Sequence, residues 1–143
     1  MKKYILLVFL LLALKSTEAQ SDTSFWFAAP DVDIVNNPTF GQYDRPIYLR
    51  LTSFNSSPTN VSVSIPANIA FTPINITIPA NSSSTINLTT WIDLIENSQP
   101  DIITNKGIHI QSSADITAYY EVNSISCLCN PELFSLKGKN AIG

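Results

Sequence analysis

Residues 116–122 read Ile-Thr-Ala-Tyr-Tyr-Glu-Val, and this stretch decides the fold class. Its even-numbered positions hold Ile, Ala, Tyr and Val, whereas its odd-numbered positions hold Thr, Tyr and Glu. Successive side chains of a β-strand point to opposite faces, so a period of two places one set in a core and the other in water. The stretch therefore predicts a strand of an antiparallel sheet with one buried face.

The same alternation recurs along the rest of the chain, and groups rich in Asn, Pro and Ser separate the runs as turns. Residues 25–28 differ, because they are apolar throughout (Phe-Trp-Phe-Ala). They predict a central or covered strand, with Trp26 in the core. The other alternating runs are residues 47–52, 61–65, 74–78, 86–89 and 108–110.

Seven or eight short strands with closely spaced turns predict an all-β fold, an antiparallel β-sandwich of the Ig-like or jelly-roll-like kind. One helical turn is expected at residues 91–96, with Thr90 as its N-cap and Trp91 in the core. The alternation also assigns side chains to faces. We expect burial of Leu49, Val63, Ile76, Leu88, Ile110 and Tyr120, and greater exposure of Arg50, Ser62, Asn75, Asn87, His109 and Glu121.

The first 19 residues have the layout of a cleavable secretory signal peptide. A basic start precedes an uncharged apolar run over residues 5–14, which is too short to span a bilayer. Small residues stand before a cut after Ala19, so the mature chain is expected to begin at Gln20. We expect a secreted or cell-surface protein, with residues 20–143 forming one domain and no transmembrane segment after cleavage.

Net charge argues against a nucleic-acid partner. The chain has 8 Lys and Arg against 11 Asp and Glu, and the first 19 residues carry three of the lysines and one glutamate, which leaves the remainder at −5. Affinity for nucleic acid depends mainly on basic side chains, so we expect no binding to it. About 120 residues are enough to bury one core.

His109 is the sole histidine and stands between Ile108 and Ile110, so it is expected on the solvent side of its strand. A catalytic base needs a nucleophile and an orienting group, and no spacing in the sequence supplies them. We expect a non-catalytic protein without a cofactor.

Carboxylates offer two weaker hypotheses. Asp31 and Asp33 alternate at a strand end and supply the oxygen ligands that calcium prefers, although solvated strand-end acids are the simpler interpretation. A glycosidase would instead need two opposed carboxylates, drawn from Asp31, Asp33, Asp44 or Glu121, about 5 to 9 Å apart. The sequence places no such pair.

Cys127 and Cys129 are separated by one residue, which makes a bond between them strained and rare. An exported protein nevertheless favours disulfide chemistry. The alternatives are an unusual local disulfide, pairing with cysteines outside the chain, metal ligation and free thiols.

Four aromatic residues, Trp26, Trp91, Tyr48 and Tyr119, could stack against a sugar ring, although the two tryptophans are more typical of a sandwich core. Tyr48 and Tyr119 occupy the wetter side of their strands, so they are the better candidates. A role in covering the sheet is the alternative for both.

Four segments, in this order, support a resemblance: Phe-Trp-Phe-Ala-Ala-Pro at 25–30, Arg-Pro-Ile-Tyr-Leu-Arg at 45–50, residues 116–122, and the Cys-Leu-Cys-Asn-Pro-Glu-Leu-Phe-Ser-Leu-Lys-Gly-Lys-Asn-Ala stretch at 127–141. Together they resemble the start of bacterial surface proteins that carry a domain similar to the IgGFc-binding protein N-terminal domain. Such proteins are typically long and often end in a gliding-motility-associated C-terminal domain. The resemblance implies a cell-surface or secreted interaction module, supplies no catalytic residues, and does not imply binding to immunoglobulin.

Members of that family continue well beyond the point that corresponds to Gly143. We therefore expect this chain to be a truncated N-terminal piece whose sandwich is incomplete at the C-terminus. Exposed apolar surface is then expected near Phe134 and Leu136, where partner strands would be missing.

The leading hypothesis from the sequence is an adhesive or structural module on a bacterial cell surface, with an unknown protein or glycan ligand. A carbohydrate-binding module is the alternative, and it would need an exposed aromatic platform. A secreted hydrolase is a third, and it would need a polar cleft with converging carboxylates.

Overall fold

The alternating runs form nine β-strands within residues 20–32, 45–99, 101–124 and 132–139, which are the parts of the chain that the computed structural model describes. A 3₁₀ turn at Thr89–Trp91 leads into the one-turn helix α1 at Ile92–Ile95. The strands are β1 Asp22–Phe27, β2 Ala29–Pro30, β3 Ile47–Ser53, β4 Thr59–Ser64, β5 Ile74–Ile78, β6 Ser82–Asn87, β7 Glu96–Asn97, β8 Ile108–Val122 and β9 Glu132–Ser135.

The long strand β8 organises the fold, because both of its edges are paired along most of its length. Its first half lies antiparallel between β1 and β4, and its second half lies antiparallel between β9 and β3. Opposite β1, the register jumps from Gln111 to Ile116, which is a bulge where β8 passes from one sheet into the other. Neither Gly nor Pro interrupts β8, so two runs that the sequence suggested separately form one strand.

Seven of the strands form one continuous antiparallel sheet, which the long strand β8 divides into two halves, called sheet 1 and sheet 2 below. Sheet 1 contains β1, the first half of β8, β4 and β5, and sheet 2 contains β9, the second half of β8, β3 and β6. The turn at residues 79–81 joins β5 to β6, and an isolated bridge between Phe25 and Gly138 ties β1 to the segment after β9. The antiparallel sheet is therefore nearly closed, which confirms an all-β sandwich or barrel-like fold. Strands β2 and β7 form a separate parallel pair.

The core confirms the predicted strand register. Tyr120 lies at its centre, with the rings of Phe27 and Phe134 packed against it at centroid distances of 5.4 and 6.1 Å. Ile76 is only half-buried, because β5 pairs with β4 on one side alone. The other five predicted core residues, Leu49, Val63, Leu88, Ile110 and Tyr120, are completely buried.

The polar set is less uniform than expected. Glu121 is only 8 % exposed and counts as buried, although the adjacent Tyr120 is at 0 %. Its burial reflects the side chain of Arg50, which lies against it on the outside of sheet 2. Arg50, Asn75 and Asn87 are exposed, whereas Ser62 and His109 are half-buried.

The prediction that β1 is covered and that Trp26 lies in the core is wrong. Phe25 points inward with no exposed surface, and Trp26, on the opposite face of the strand, is 59 % exposed. The alternation of side chains along β1 turns Trp26 to the outer face of sheet 1, where its indole stacks on His109 and no second layer buries it. Trp91 is half-buried and packs against Phe71 at a ring distance of 5.7 Å.

Two local expectations also need correction. The helix α1 begins after a 3₁₀ turn and its N-cap residue makes no side-chain cap, so Thr90 does not cap it. The neighbouring Thr89 instead accepts a 3.0 Å hydrogen bond from the backbone N–H of Ile47, which ties the turn to β3. Phe134 is half-buried and Leu136 is buried, whereas the adjacent Leu133 is 57 % exposed, so the expected apolar exposure lies beside these two residues and not at them.

Candidate functional site

An indole and an imidazole are stacked on the outer face of sheet 1. Trp26 and His109 pair directly across the β1–β8 ladder, and their rings lie 4.2 Å apart with an interplanar angle of 13°. One face of the indole therefore rests on the imidazole. Because Trp26 remains 59 % exposed, the rest of its ring system is open to a ligand.

The position of His109 is fixed from a second side. The hydroxyl of Ser24 lies 3.1 Å from Nε2 of His109, on the same outer face. Burial lowers the pKa of His109 below its usual value of about 6.5, so the imidazole is mainly neutral at pH 7. The stacked pair is thus uncharged under ordinary conditions.

Uncharged polar side chains fill the remainder of this outer face, which is called the groove face below. The strand register aligns them in rows that cross β1, β8, β4 and β5, because alternate residues of each strand point outward. Its members are Ser24, Trp26, Asn60, Ser62, Ser64, Asn75, Thr77, His109, Gln111 and Ser113.

A shallow groove of about 450 Å³ lies on this face over β8, β4 and β5. None of its lining residues carries a formal charge. The amides that line it come from Asn60, Asn75 and Gln111, and the remaining lining residues are Ser62, Thr77, Ser112 and Ser113 together with the apolar Val61 and Ile76. Such a lining offers donors and acceptors in alternation without a strong electrostatic field.

Hydrogen bonds hold part of this lining in place. The hydroxyl of Thr77 donates to Oδ1 of Asn60 at 2.8 Å, and the Asn60 backbone N–H donates to Oγ of Ser113 at 3.0 Å. Nε2 of Gln111 donates to a backbone carbonyl of β1 at 3.1 Å, which leaves its own carbonyl oxygen to accept. The Asn75 amide and the Ser62 hydroxyl line the groove and take part in none of these bonds.

The predicted stacking residues lie on the other sheet. Tyr48 and Tyr119 are both half-buried on the outer face of sheet 2, where Tyr119 pairs across the ladder with Arg50. The Arg50 guanidinium lies 5.4 Å from the centroid of the Tyr48 ring, a cation–π contact that covers part of that ring. Arg50 also forms an ion pair with Glu121.

Asp31 lines a small polar pocket of about 110 Å³ together with Arg45, Asp93, Glu96 and Lys106. The ammonium of Lys106 donates to the Glu96 carbonyl oxygen at 2.7 Å. Within the described residues, no group of three or more His, Cys, Asp or Glu side chains is placed to hold a metal ion. Four residues considered from the sequence, Asp33, Asp44, Cys127 and Cys129, lie outside the described ranges.

Sequence reasoning assigned Trp26 to the core in preference to a binding role and missed the groove, although a signal for each is present. Ser24 and Trp26 share one face of β1, whereas Phe25 points inward from the other. A serine two residues before Trp26 indicates that this shared face is exposed to solvent. For the groove, three runs carry polar side chains at alternate positions, namely 60 and 62, 75 and 77, and 111 and 113. Their assembly on one face depends on the order of the strands, which local pattern does not specify.

Comparison with known proteins adds little. No protein-family model and no curated protein matches the chain. One solved structure, the Anabaena sensory rhodopsin transducer, aligns with a TM-score of 0.41 and 15 % identity, over 69 % of this chain and 94 % of that one. Similarity at that level supports no conclusion about fold or function. No described helix is long and apolar enough to cross a membrane.

Proposed function

We propose that the chain is a non-catalytic, extracellular interaction module of a bacterial surface protein and that it serves adhesion. The layout of residues 1–19 supports export. The resemblance to domains of the IgGFc-binding protein N-terminal type supports a place on the cell surface. The acidic balance of the chain opposes nucleic acid as a partner.

Exposed isoleucines at one end of the sandwich carry this proposal. Ile69 and Ile103 are almost fully solvent-exposed, at 103 % and 98 % of the reference value. Ile69 lies in the loop that follows β4, and Ile103 lies in the loop that precedes β8. Because Ser64 at the end of β4 pairs with His109 at the start of β8, both loops leave sheet 1 at the same end. Two large apolar side chains exposed at this end of sheet 1 are available to contact a partner.

Of the four carboxylates considered for a glycosidase, the structure describes Asp31 and Glu121. Asp31 lies in a pocket that also contains Arg45 and Lys106, whereas Glu121 is held by Arg50 on the outside of sheet 2. A glycosidase would need two carboxylates facing one another across a substrate. These two residues occupy different sites.

Carbohydrate binding is the second candidate, and the exposed indole of Trp26 favours it. An aromatic ring with a free face beside amide and hydroxyl groups is the combination that sugar recognition uses, since C–H groups pack on the ring and hydroxyls bond to the amides. Adhesion and sugar binding are compatible, because a surface protein can adhere through a glycan.

Attachment of producing cells tests the adhesive role. We expect that cells lacking the protein attach less to a surface or to neighbouring cells, and that the Ile69→Ser/Ile103→Ser double variant reproduces most of that loss. Phe54→Ser is the matched control, because Phe54 is 72 % exposed but lies in the β3–β4 loop at the opposite end of β4. Unchanged attachment in the absence of the protein would rule out the adhesive role.

A further inference from the structure

We propose that the groove face binds a neutral oligosaccharide, with one sugar ring on the Trp26 indole and the following rings over Gln111 and into the groove. This assignment rests on the proposed extracellular binding function and names its ligand class and its site. It also moves the sugar platform from the tyrosines of sheet 2 to sheet 1.

The Trp26 indole is held ready for stacking. His109 supports one face of the ring at 4.2 Å, and the Ser24 hydroxyl contacts His109 in turn. A ring that already has a fixed orientation loses little side-chain freedom when a ligand arrives, so more of the contact energy appears as affinity. The exposed ring surface is where the apolar C–H face of a sugar packs.

The groove lies within reach of a short sugar chain that begins on Trp26. Gln111 is two residues along β8 from His109, the ladder partner of Trp26, so Trp26 and Gln111 are diagonal neighbours roughly 7–8 Å apart. Gln111 then pairs with Ser62, and Ser62 pairs with Asn75, which extends the same row across the groove. Amides along this row can donate to and accept from sugar hydroxyls simultaneously.

The charge of the site selects an uncharged ligand. The groove lining contains no Lys or Arg to bind a carboxylate, sulfate or phosphate group, and no Asp or Glu to bind an amine. Burial keeps His109 mainly neutral at pH 7 as well. Of the common extracellular ligands, a neutral glycan matches a surface built from amides, hydroxyls and one indole.

Calorimetric titration with a panel of neutral gluco-, galacto-, manno- and xylo-oligosaccharides tests this proposal, using the protein as the producing cell makes it. We expect binding of at least one member of the panel. Trp26→Ala should then weaken its affinity roughly tenfold or more, which corresponds to the loss of one stacking contact. Asn75→Ala should weaken it several-fold. Tyr48→Ala is the matched control on sheet 2 and should leave the affinity unchanged.

Circular dichroism of each variant checks that a change in affinity does not come from unfolding. Trp26→Ala is expected to fold, because the Trp26 side chain is mostly exposed. Three outcomes would overturn the proposal: no binding across the panel, undiminished binding by folded Trp26→Ala, or loss through Tyr48→Ala alone. Exclusive binding of acidic glycans or of a protein would do so too. If cell attachment still depends on Ile69 and Ile103 in any of these cases, the adhesive function stands and only the glycan site falls.

Discussion

A bidentate ion pair fixes the outer face of sheet 2 at the scale of single residues. Arg50 donates from Nε to one carboxylate oxygen of Glu121 and from Nη2 to the other at 3.0 Å. Nδ2 of Asn123 donates to the same carboxylate at 2.7 Å. The hydrogen bond from Arg50, with a smaller contribution from Asn123, lowers the pKa of Glu121 below its usual value despite burial. Glu121 thus occupies a polar position of the alternating pattern, and its charged side chain is nevertheless covered by Arg50.

Removing Arg50 should therefore destabilise the domain in a pH-dependent manner. A lowered folded-state pKa contributes stability above the unfolded-state pKa of Glu121, and that contribution is lost as the pH falls through the folded-state value. At pH 7, Arg50→Met should cost about 1–2 kcal/mol, a modest figure because the Arg50 side chain is half-exposed and screened by water. At an acidic pH below the unfolded-state pKa of Glu121, the cost should shrink, because the contribution of the pair is lost as Glu121 becomes protonated.

Urea unfolding at both pH values measures this difference. Lys137→Met removes a positive charge from an exposed position and serves as the control. A cost for Arg50→Met that is equal at both pH values, or a Lys137→Met variant with the same profile, would contradict the assigned role of the pair.

At the scale of elements, the fold depends on β8. Ile110 illustrates this dependence, since it pairs with Phe25 on one side and with Val63 on the other and has no exposed surface. The remaining strands of sheets 1 and 2 attach to β8 directly or through β3 and β4. Disruption of β8 should thus be transmitted to both sheets, whereas damage to an edge strand should remain local.

Proline at position 110 tests that dependence. Ile110→Pro removes a backbone donor from a strand paired on both edges, and we expect a loss of about 3 kcal/mol or more, with both sheets unfolding together. Ser57→Pro, in the exposed loop between β3 and β4, should have little effect. Far-UV circular dichroism during urea unfolding reports the outcome. A stable, fully β Ile110→Pro protein would show that β8 is not the central element.

Local pattern was sufficient for the strands that carry clean alternation. Residues 47–52 predict a strand with Leu49 inward, and the strand that forms is Ile47–Ser53 with Leu49 buried. The pattern was insufficient where non-local pairing decides the outcome. The continuity of β8 depends on partners far away in the chain, and the exposure of Trp26 depends on the outer face of sheet 1 having no layer over it. The groove forms because β8, β4 and β5 lie side by side in that order, and the alternating pattern of a single strand does not specify this order.

At the scale of the whole molecule, the surface is divided into regions of different chemistry. The groove face is uncharged and polar with one exposed indole, the outer face of sheet 2 carries the Arg50–Glu121 pair, and one end of the sandwich presents Ile69 and Ile103. The interior is closed around Tyr120. Such a distribution of surface chemistry favours contact with binding partners. An extracellular location would bring glycans and neighbouring cells within reach.

Everything proposed for this domain depends on its working outside the cytoplasm, and the amino terminus of the recovered protein tests that most directly. Mass spectrometry of material collected from the medium or released from the cell surface should find Gln20, intact or cyclised, as the first residue, because the first 19 residues have the charge and length of a cleaved signal peptide. Recovery of the protein only from the cytoplasm, with Met1 to Ala19 still attached, would contradict the extracellular assignment.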